Sequence, residues 1–244
     1  MPSLITVPCV FASLSTEVTL PDTSNMDQIL REISAGKTYP ALPFLADDVD
    51  LVMDIGANVG IAAIFFSAVY PKARIFAYEP SARTFETLAA NAQRVKGVTP
   101  IHAGLSDADG TTEIIFGYSG ETTSLYRNPM TTGDAETIRL IRASAEFDRV
   151  LEGARFPVLK IDTEGSEVPV LRDLGSRIQR VAALYLEYHS EEDRVWIDRL
   201  AADNGLTLFS SEASHPHRGE VCYVRRAILD ERTHYSSRYI INHG

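Results

Sequence analysis

The chain has 244 residues, 45% of them hydrophobic and 23% charged, with a formal net charge of −10. That length and composition fit one large α/β domain burying about 70–75% of its extended-chain surface, so the core needs no metal or disulfide staple. The acidic balance disfavours a nucleic-acid backbone as partner, because such binding is driven by Lys and Arg neutralising phosphates.

The N-terminal stretch MPSLITVPCVFASLSTEVTL lacks the basic start of a secretory leader, and no run reaches the ~18 apolar residues of a membrane-spanning helix. Cys9 and Cys222 are the only cysteines, too few for a disulfide framework. The expectation is therefore a soluble protein in the reducing cytoplasm, with no membrane partner and two buried free thiols. A homo-oligomer is compatible with the sequence. Residues 1–49 read as an N-terminal extension expected to pack on the core or shape the acceptor pocket: a β-rich stretch from Ile5 to Leu20, a turn at Pro21-Asp22, and a helix capped by Ser24 or Asn25.

From residue 50 onward the pattern becomes regular and reads as a second unit, 50–244. Strand LVMDI (51–55) leads to helix GIAAIFFSAVY (60–70), strand ARIFAYE (73–79), helix SARTFETLAANAQRV (81–95) and strand VTPIHAGL (98–105). Such alternation is the signature of βαβ units on a parallel sheet. Residues 106–157 break the rhythm with a turn at DADG (107–110), strand TTEIIFG and a polar loop at 117–135 expected to overlie the active-site edge. Alternation resumes with strand PVLKID (157–162), helix EVPVLRDL, strand VAALYLEYH (181–189) and helix EEDRVWIDRLAADN, in which Trp196 and Ile197 fit a buried stripe. Strands LTLFSS and EVCYVRR then form an antiparallel hairpin. His215 and His217 flank Pro216 in its turn and lack a third metal ligand, while His102, inside a strand, reads as a core residue.

The first strand runs into DIGANVG (54–60). Gly56 permits a tight turn, Gly60 lets a helix begin close to the strand, and the N–H groups of that helix start are available to a polar ligand. Position 58 is Asn, so the dinucleotide fingerprint G-x-G-x-x-G is not met. Asp54 suits a cationic ligand group better than a pyrophosphate. Glu79, about 20 residues beyond the glycines at the end of the second strand, is placed to accept the hydroxyls of a ribose. Together these residues describe a nucleoside site at the carboxyl ends of the first two strands.

VMDIGANVGIAAIFFS, IFAYEPSARTFETLAANAQ, GLSDADGTTEI, VLKIDTEGSEVPVL and LYLEYH occur in an order and spacing that resemble the FkbM-type S-adenosylmethionine-dependent methyltransferases, over about residues 50–190. The resemblance implies a Rossmann-like class I methyltransferase: an α/β fold whose seven-stranded, mostly parallel sheet has the order 3-2-1-4-5-7-6, with helices on both faces. It implies S-adenosylmethionine as cofactor, S-adenosylhomocysteine as product, and O-methylation of a sugar or other small molecule. Carried over by position, Asp54, Gly56, Ala57, Asn58 and Gly60 would surround the methionine and ribose. Glu79 with Pro80 would hold the ribose, and Leu105, Ser106 and Asp107 would approach the adenine.

Alternation along the fourth and fifth strands of the sheet gathers a second set of groups. Lys160 and Asp162 share one face of their strand, with Leu159 and Ile161 on the other, so Asp162 leaves the core for the cleft. Glu164 and Glu167 follow at a helix start, where acids are favoured, and Glu167 reads as serving that helix. Tyr185, Glu187 and His189 alternate onto one face of the next strand. Asp162, Glu164, Glu187 and His189 therefore form the candidate catalytic group. Three carboxylates so close need a proton, Lys160 or a cation. His189, by its ordinary pKa, is a candidate general base for a hydroxyl acceptor. Asp162 or Glu164 are alternative bases, or would hold a Mg²⁺ that acidifies the hydroxyl; no residue is assigned as a dedicated metal ligand. Tyr118, Thr122 and Tyr126 are candidate acceptor contacts. The competing readings are a nicotinamide-dependent oxidoreductase and a non-catalytic S-adenosylmethionine-binding module.

Overall fold

The N-terminal residues build structure of their own. In this computed structural model, which describes residues 2–117, 123–124 and 131–233, β1 (Leu4–Phe11) and β2 (Leu14–Pro21) pair antiparallel and lead into α1 (Ser24–Ser34). Thr23, one residue before the expected cap, closes the start of α1 by accepting from the Met26 N–H. Buried Asn91 fastens the hairpin to the body: its side chain accepts from Thr19 N (2.8 Å) and donates to Thr19 O and Val59 O (both 2.8 Å). Phe11, Val18, Leu20, Leu30 and Ile33 enter the same apolar cluster as Val52, Phe66 and Val158. Cys9 is only half-buried, since it sits on the hairpin's partly open face; Cys222 is buried.

The body follows the βα alternation. After β3 (Leu51–Ile55) come α2 (Ile61–Val69), β4 (Arg74–Tyr78), α3 (Ala82–Ala92) and β5 (Val98–Ile101). The chain then leaves the main sheet. The expected strand 98–105 is broken at His102-Ala103, where Ala103 N turns back onto Ile101 O (3.0 Å), so His102 is exposed and stacked on Phe85 rather than in the core. β6 (Gly104–Ser106), β7 (Gly110–Gly117), β8 (Thr123–Ser124) and β9 (Thr131–Arg142) form a second sheet in the order β6-β9-β7-β8. β9 reaches back into the expected loop at 117–135, and with α4 (Ala143–Val150) it occupies most of 136–156, to which the sequence reading assigns no element.

β10 (Pro157–Ile161), α5 (Glu167–Leu174), β11 (Ala183–Tyr188), α6 (Glu191–Asp203), β12 (Leu206–His215), β13 (Arg218–Arg225) and α7 (Arg226–Arg232) complete the chain's described elements. The main sheet runs β12-β13-β11-β10-β3-β4-β5. Its strands are parallel except for β13, which is antiparallel to both neighbours. Counting these seven in chain order gives 3-2-1-4-5-7-6, the class I methyltransferase arrangement. Alternating residues of β10 feed opposite faces: Val158 joins the cluster with α1 and α2, while Leu159 joins Phe147, Val170 and Ile197 of α4, α5 and α6. Neighbours β3 and β10 leave the sheet toward opposite edges, and that switch point is where open α/β sheets bind ligands. Among the described residues, no helix is long and apolar enough to cross a membrane.

Candidate active site

Beyond β3 the chain must turn sharply, and it does so with left-handed backbone at Gly56 (φ 79°), Asn58 (φ 50°) and Gly60 (φ 91°). Every backbone N–H from 56 to 60 finds a partner within the fold. Gly56 N and Ala57 N donate to Tyr78 O (3.0 and 2.8 Å), Asn58 N to Glu79 Oε2 (3.0 Å), Val59 N to Asn58 Oδ1 (2.8 Å) and Gly60 N to Ala57 O (2.8 Å). Glu79, the Asn58 side chain and the carbonyls of Tyr78 and Ala57 thus consume the backbone donors of the turn itself. A pyrophosphate would find no free backbone donor between residues 56 and 60.

Glu79 is fixed from two sides, accepting from Asn58 N and from Ser81 N (2.9 Å). Burial pushes its pKa up to about 7, against the pull of those two amides. It lines a cavity of about 360 Å³ at the carboxyl ends of β3, β4, β10 and β11, within the range of small-molecule sites. Gly56, Ala57, Asn58, Pro80, Asp162, Glu164 and Glu187 also line it. Five site residues read from sequence lie off its surface. Asp54 is wholly buried beneath it, Gly60 packs toward Leu88, Ser106 turns its hydroxyl to the exposed Asp107, which does not line it either, and His189 stands behind Arg218. Tyr118, Thr122 and Tyr126 lie outside the described residues.

One end of the cavity is apolar: Leu105, Ile114, Ile138 and Leu140 face it, three of them from β7 and β9. Glu136 of β9 latches this second sheet to the start of α3, accepting from Ala82 N (2.7 Å) and Ser81 Oγ (2.9 Å). It thus acts as the N-cap of α3 from outside that helix. Removing such a cap costs about 1–2 kcal/mol, so Glu136→Ala should lower the thermal midpoint by about 2–8 °C for a domain this size. Glu86→Ala, on the exposed side of the same helix, is the control; equal midpoints for the two variants would deny the latch.

The other end is polar. Lys160, 2% exposed, donates to Gly56 O (2.6 Å) and stands 3.1 Å from Asp54 Oδ1 and 3.6 Å from Asp162 Oδ2. Burial works against its charge, but Asp54 and Asp162 outweigh burial and raise its pKa, so it stays cationic. Glu164 adopts left-handed backbone (φ 56°), helped by Gly165 after it. Glu167 serves the helix start as expected: its Oε1 accepts from Thr163 N (2.7 Å) and Thr163 Oγ1 (2.9 Å), and its Oε2 from Gly165 N (3.1 Å).

Asp162, Glu164 and Glu187 bring one oxygen each within 4.8 Å of one another. Arg218, in the β12–β13 hairpin, donates to Glu164 Oε2 (3.2 Å) and lies 3.9 Å from Glu187 Oε1. Burial and the neighbouring Asp162 charge push the Glu187 carboxyl well up. Burial also pushes Asp162 up, but the Lys160 charge and the hydrogen bonds from Glu187 and Tyr39 outweigh it and hold Asp162 low. The pair therefore keeps one proton, and Glu187 carries it. With Asp54 counted, four carboxylates face Lys160, Arg218 and that proton, which leaves an excess of negative charge.

His189 Nδ1 faces the Arg218 guanidinium (Nε 3.0 Å), which only donates. The neutral ring must then carry its proton on Nε2, toward Glu167 Oε1 at 3.5 Å and Glu187 Oε2 at 3.6 Å. Neither nitrogen offers a free lone pair to an acceptor in the cavity. Residues 1–49, expected to pack on the core or the acceptor site, contribute a wall: Met26, Ile29, Glu32, Thr38 and Tyr39 all line the cavity.

Residues 54–219 match the methyltransferase FkbM domain. Hexuronic acid methyltransferase AglP of Haloferax volcanii is 31% identical over 185 residues, covering 74% of this chain and 72% of that protein. Methyltransferase sdnD of Sordaria araneosa is 26% identical over 180 residues, covering 59% of this chain and 67% of that one. Among solved structures, Aeropyrum pernix fibrillarin with natively bound S-adenosyl-L-methionine aligns at 12% identity and a TM-score of 0.49, covering 92% of this chain and 100% of the other.

Proposed function

The chain belongs to the FkbM methyltransferase domain family, and from that premise we propose that it transfers the methyl group of S-adenosylmethionine to a hydroxyl of a sugar or similar polyol. The donor set fits that cofactor. Glu79, its carboxylate aimed by two backbone amides, is the partner for the ribose hydroxyls; the apolar end of the cavity suits adenine; and the excess negative charge around Asp162 suits a cationic sulfonium. When bound, the cofactor supplies an electrophilic methyl group, and holding the acceptor in line with it is worth effective molarities up to about 10⁵–10⁸ M.

The observation that carries the acceptor class is the polar end, where Asp162, Glu164, Glu187 and Glu220 line the cavity opposite its apolar end. Carboxylates accept hydrogen bonds from several hydroxyls at once, as a polyol requires. The relative named for a hexuronic acid agrees with such an acceptor. Asp162, held ionised, takes the proton that the acceptor oxygen loses as its bond to the methyl carbon forms. Glu187 keeps its own proton, Glu164 is held by Arg218, and His189 braces Arg218 and is not the base. Since Lys160, Arg218 and the shared proton already meet most of the carboxylate charge, the reaction requires no Mg²⁺.

Two measurements test the reading together. Calorimetry should show S-adenosylmethionine and S-adenosylhomocysteine binding and NAD not binding. Methyl transfer to a panel of monosaccharides, uronic acids and glycosides should proceed at the same rate in EDTA. Failure of both adenosyl compounds to bind would overturn the cofactor. Transfer only to amines or phenols would overturn the acceptor class, binding without transfer to any acceptor would favour a non-catalytic module, and loss of turnover in chelator would restore the metal.

A further inference from the structure

Asp162 is the first residue beyond β10, and its side chain keeps 28% of its surface exposed. A base so placed needs something to fix its orientation. Tyr39 supplies a contact from a segment that precedes the family-matched residues: its hydroxyl donates to Asp162 Oδ2 at 3.2 Å. Lys160 stands 3.6 Å from the same oxygen and 6.0 Å from the centre of the Tyr39 ring.

The Tyr39 ring, 4% exposed, is itself held. It meets Phe66 at 5.8 Å and the edge of Tyr185 at 5.9 Å, centroid to centroid. The next residue is pinned as well: Pro40 O accepts from the Tyr185 hydroxyl (2.7 Å), which also meets the Tyr70 hydroxyl at 3.0 Å. Three aromatic residues from α2, its C-terminal end and β11 thus fix the height at which the Tyr39 hydroxyl meets Asp162. Its O–H is directed at Asp162 Oδ2.

We propose that Tyr39 is a positioning residue of the methyl-transfer reaction, orienting Asp162 from the N-terminal segment, so that residues 24–45 are a working wall of the acceptor half of the site. The inference rests on the proposed role of Asp162 and adds a residue that the matched region does not contain. Tyr39→Phe keeps the ring between Phe66 and Tyr185 and removes only the donor.

The test is a double-mutant cycle of Tyr39→Phe and Asp162→Asn. It is run with whichever acceptor of a mixed panel of sugars, phenols and amines the wild type methylates. A hydrogen bond to a charged group predicts that Tyr39→Phe lowers kcat about 10- to 100-fold, while acceptor KM and S-adenosylhomocysteine affinity stay within about two-fold. In the Asp162→Asn background the same change should do nothing further, because a residue acting through another is non-additive with it. An unchanged kcat, an equal loss in both backgrounds, or a loss that falls on KM or cofactor affinity would overturn the proposal. A second cycle, with Asp162→Ala in place of Asp162→Asn so that the acceptor of the Tyr39 hydroxyl is removed, is read by thermal unfolding with S-adenosylhomocysteine and needs no methyl acceptor; additivity there means the hydrogen bond is not made and also overturns the proposal. A protein that methylates only phenols or amines sinks the sugar reading alone, and the Tyr39 cycle is then decided on that acceptor.

Discussion

Alanine at Gly56 should destabilise the protein by about 3–6 kcal/mol, enough to unfold a domain of ordinary marginal stability or bring it close to unfolding. Two costs combine. The backbone there has φ +79°, which an L side chain adopts only with strain, and a Cβ built on it would stand 1.8 Å from Asp162 O and 2.8 Å from Asp162 C. Those neighbours are backbone, so they cannot swing aside like the end of a flexible side chain. Relief requires the ends of β3 and β10 to separate, and these are tied by the register Ile161↔Ile55, by Asp162 N donating to Ile55 O (3.1 Å) and by Lys160 donating to Gly56 O (2.6 Å). Gly110→Ala, with no atom within 4 Å of its Cβ, should stay within about 1 kcal/mol of wild type. Chemical denaturation of the two variants decides the matter: a Gly56→Ala midpoint equal to that of Gly110→Ala would mean that the loop does not need its glycine for close approach.

What the chain discloses about itself follows the range of its interactions. The βα alternation is local, and it correctly places β3, β4, β10, β11 and the final hairpin, whose order the structure then shows. β9 and α4 are missed although ETIRLIR (136–142) alternates, because a polar loop and a strand share one stretch and the loop dominates the composition. The break at His102-Ala103 is invisible for a related reason: the apolar run continues through it, and only the second sheet draws Gly104 away from the first.

The site divides in the same manner. The spacing of Gly56, Asn58 and Gly60 announces a turn. It does not announce that Tyr78 O and Glu79 use up the donors of that turn, since these partners come from the next strand. Period-two alternation brings Glu187 and His189 to one end of β11, but the hairpin that carries Arg218 decides that His189 is occupied. Tyr39 and Asp162 are 123 positions apart, and no pattern of period 2 or 3.6 connects them. The residues that contact the reacting end through long-range packing are the ones that sequence reading leaves out.

Replacing Asp162 by asparagine should lower kcat about 10²- to 10⁴-fold, the range attributed to a positioned general base, with S-adenosylhomocysteine still bound. Asparagine preserves the shape and the hydrogen bond from Tyr39, but it cannot take the acceptor's proton. The pH profile carries the sign. Because the charges around it hold Asp162 low, the wild type should keep its rate through neutral pH and lose it only as pH falls through and below the ordinary carboxylate range, about 3.9 for Asp; the variant should lack that limb. Glu187 gives the contrast. Its carboxyl is held protonated by burial and by the charge of Asp162, so glutamine at position 187 imitates the state it already occupies and should retain activity within about ten-fold of wild type. The two carboxyls lie within 4.8 Å of each other, and the kinetics of this pair of variants distinguish them. An inactive Glu187→Gln beside an active Asp162→Asn would reverse the roles, making Glu187 the base and Asp162 the group that keeps the proton.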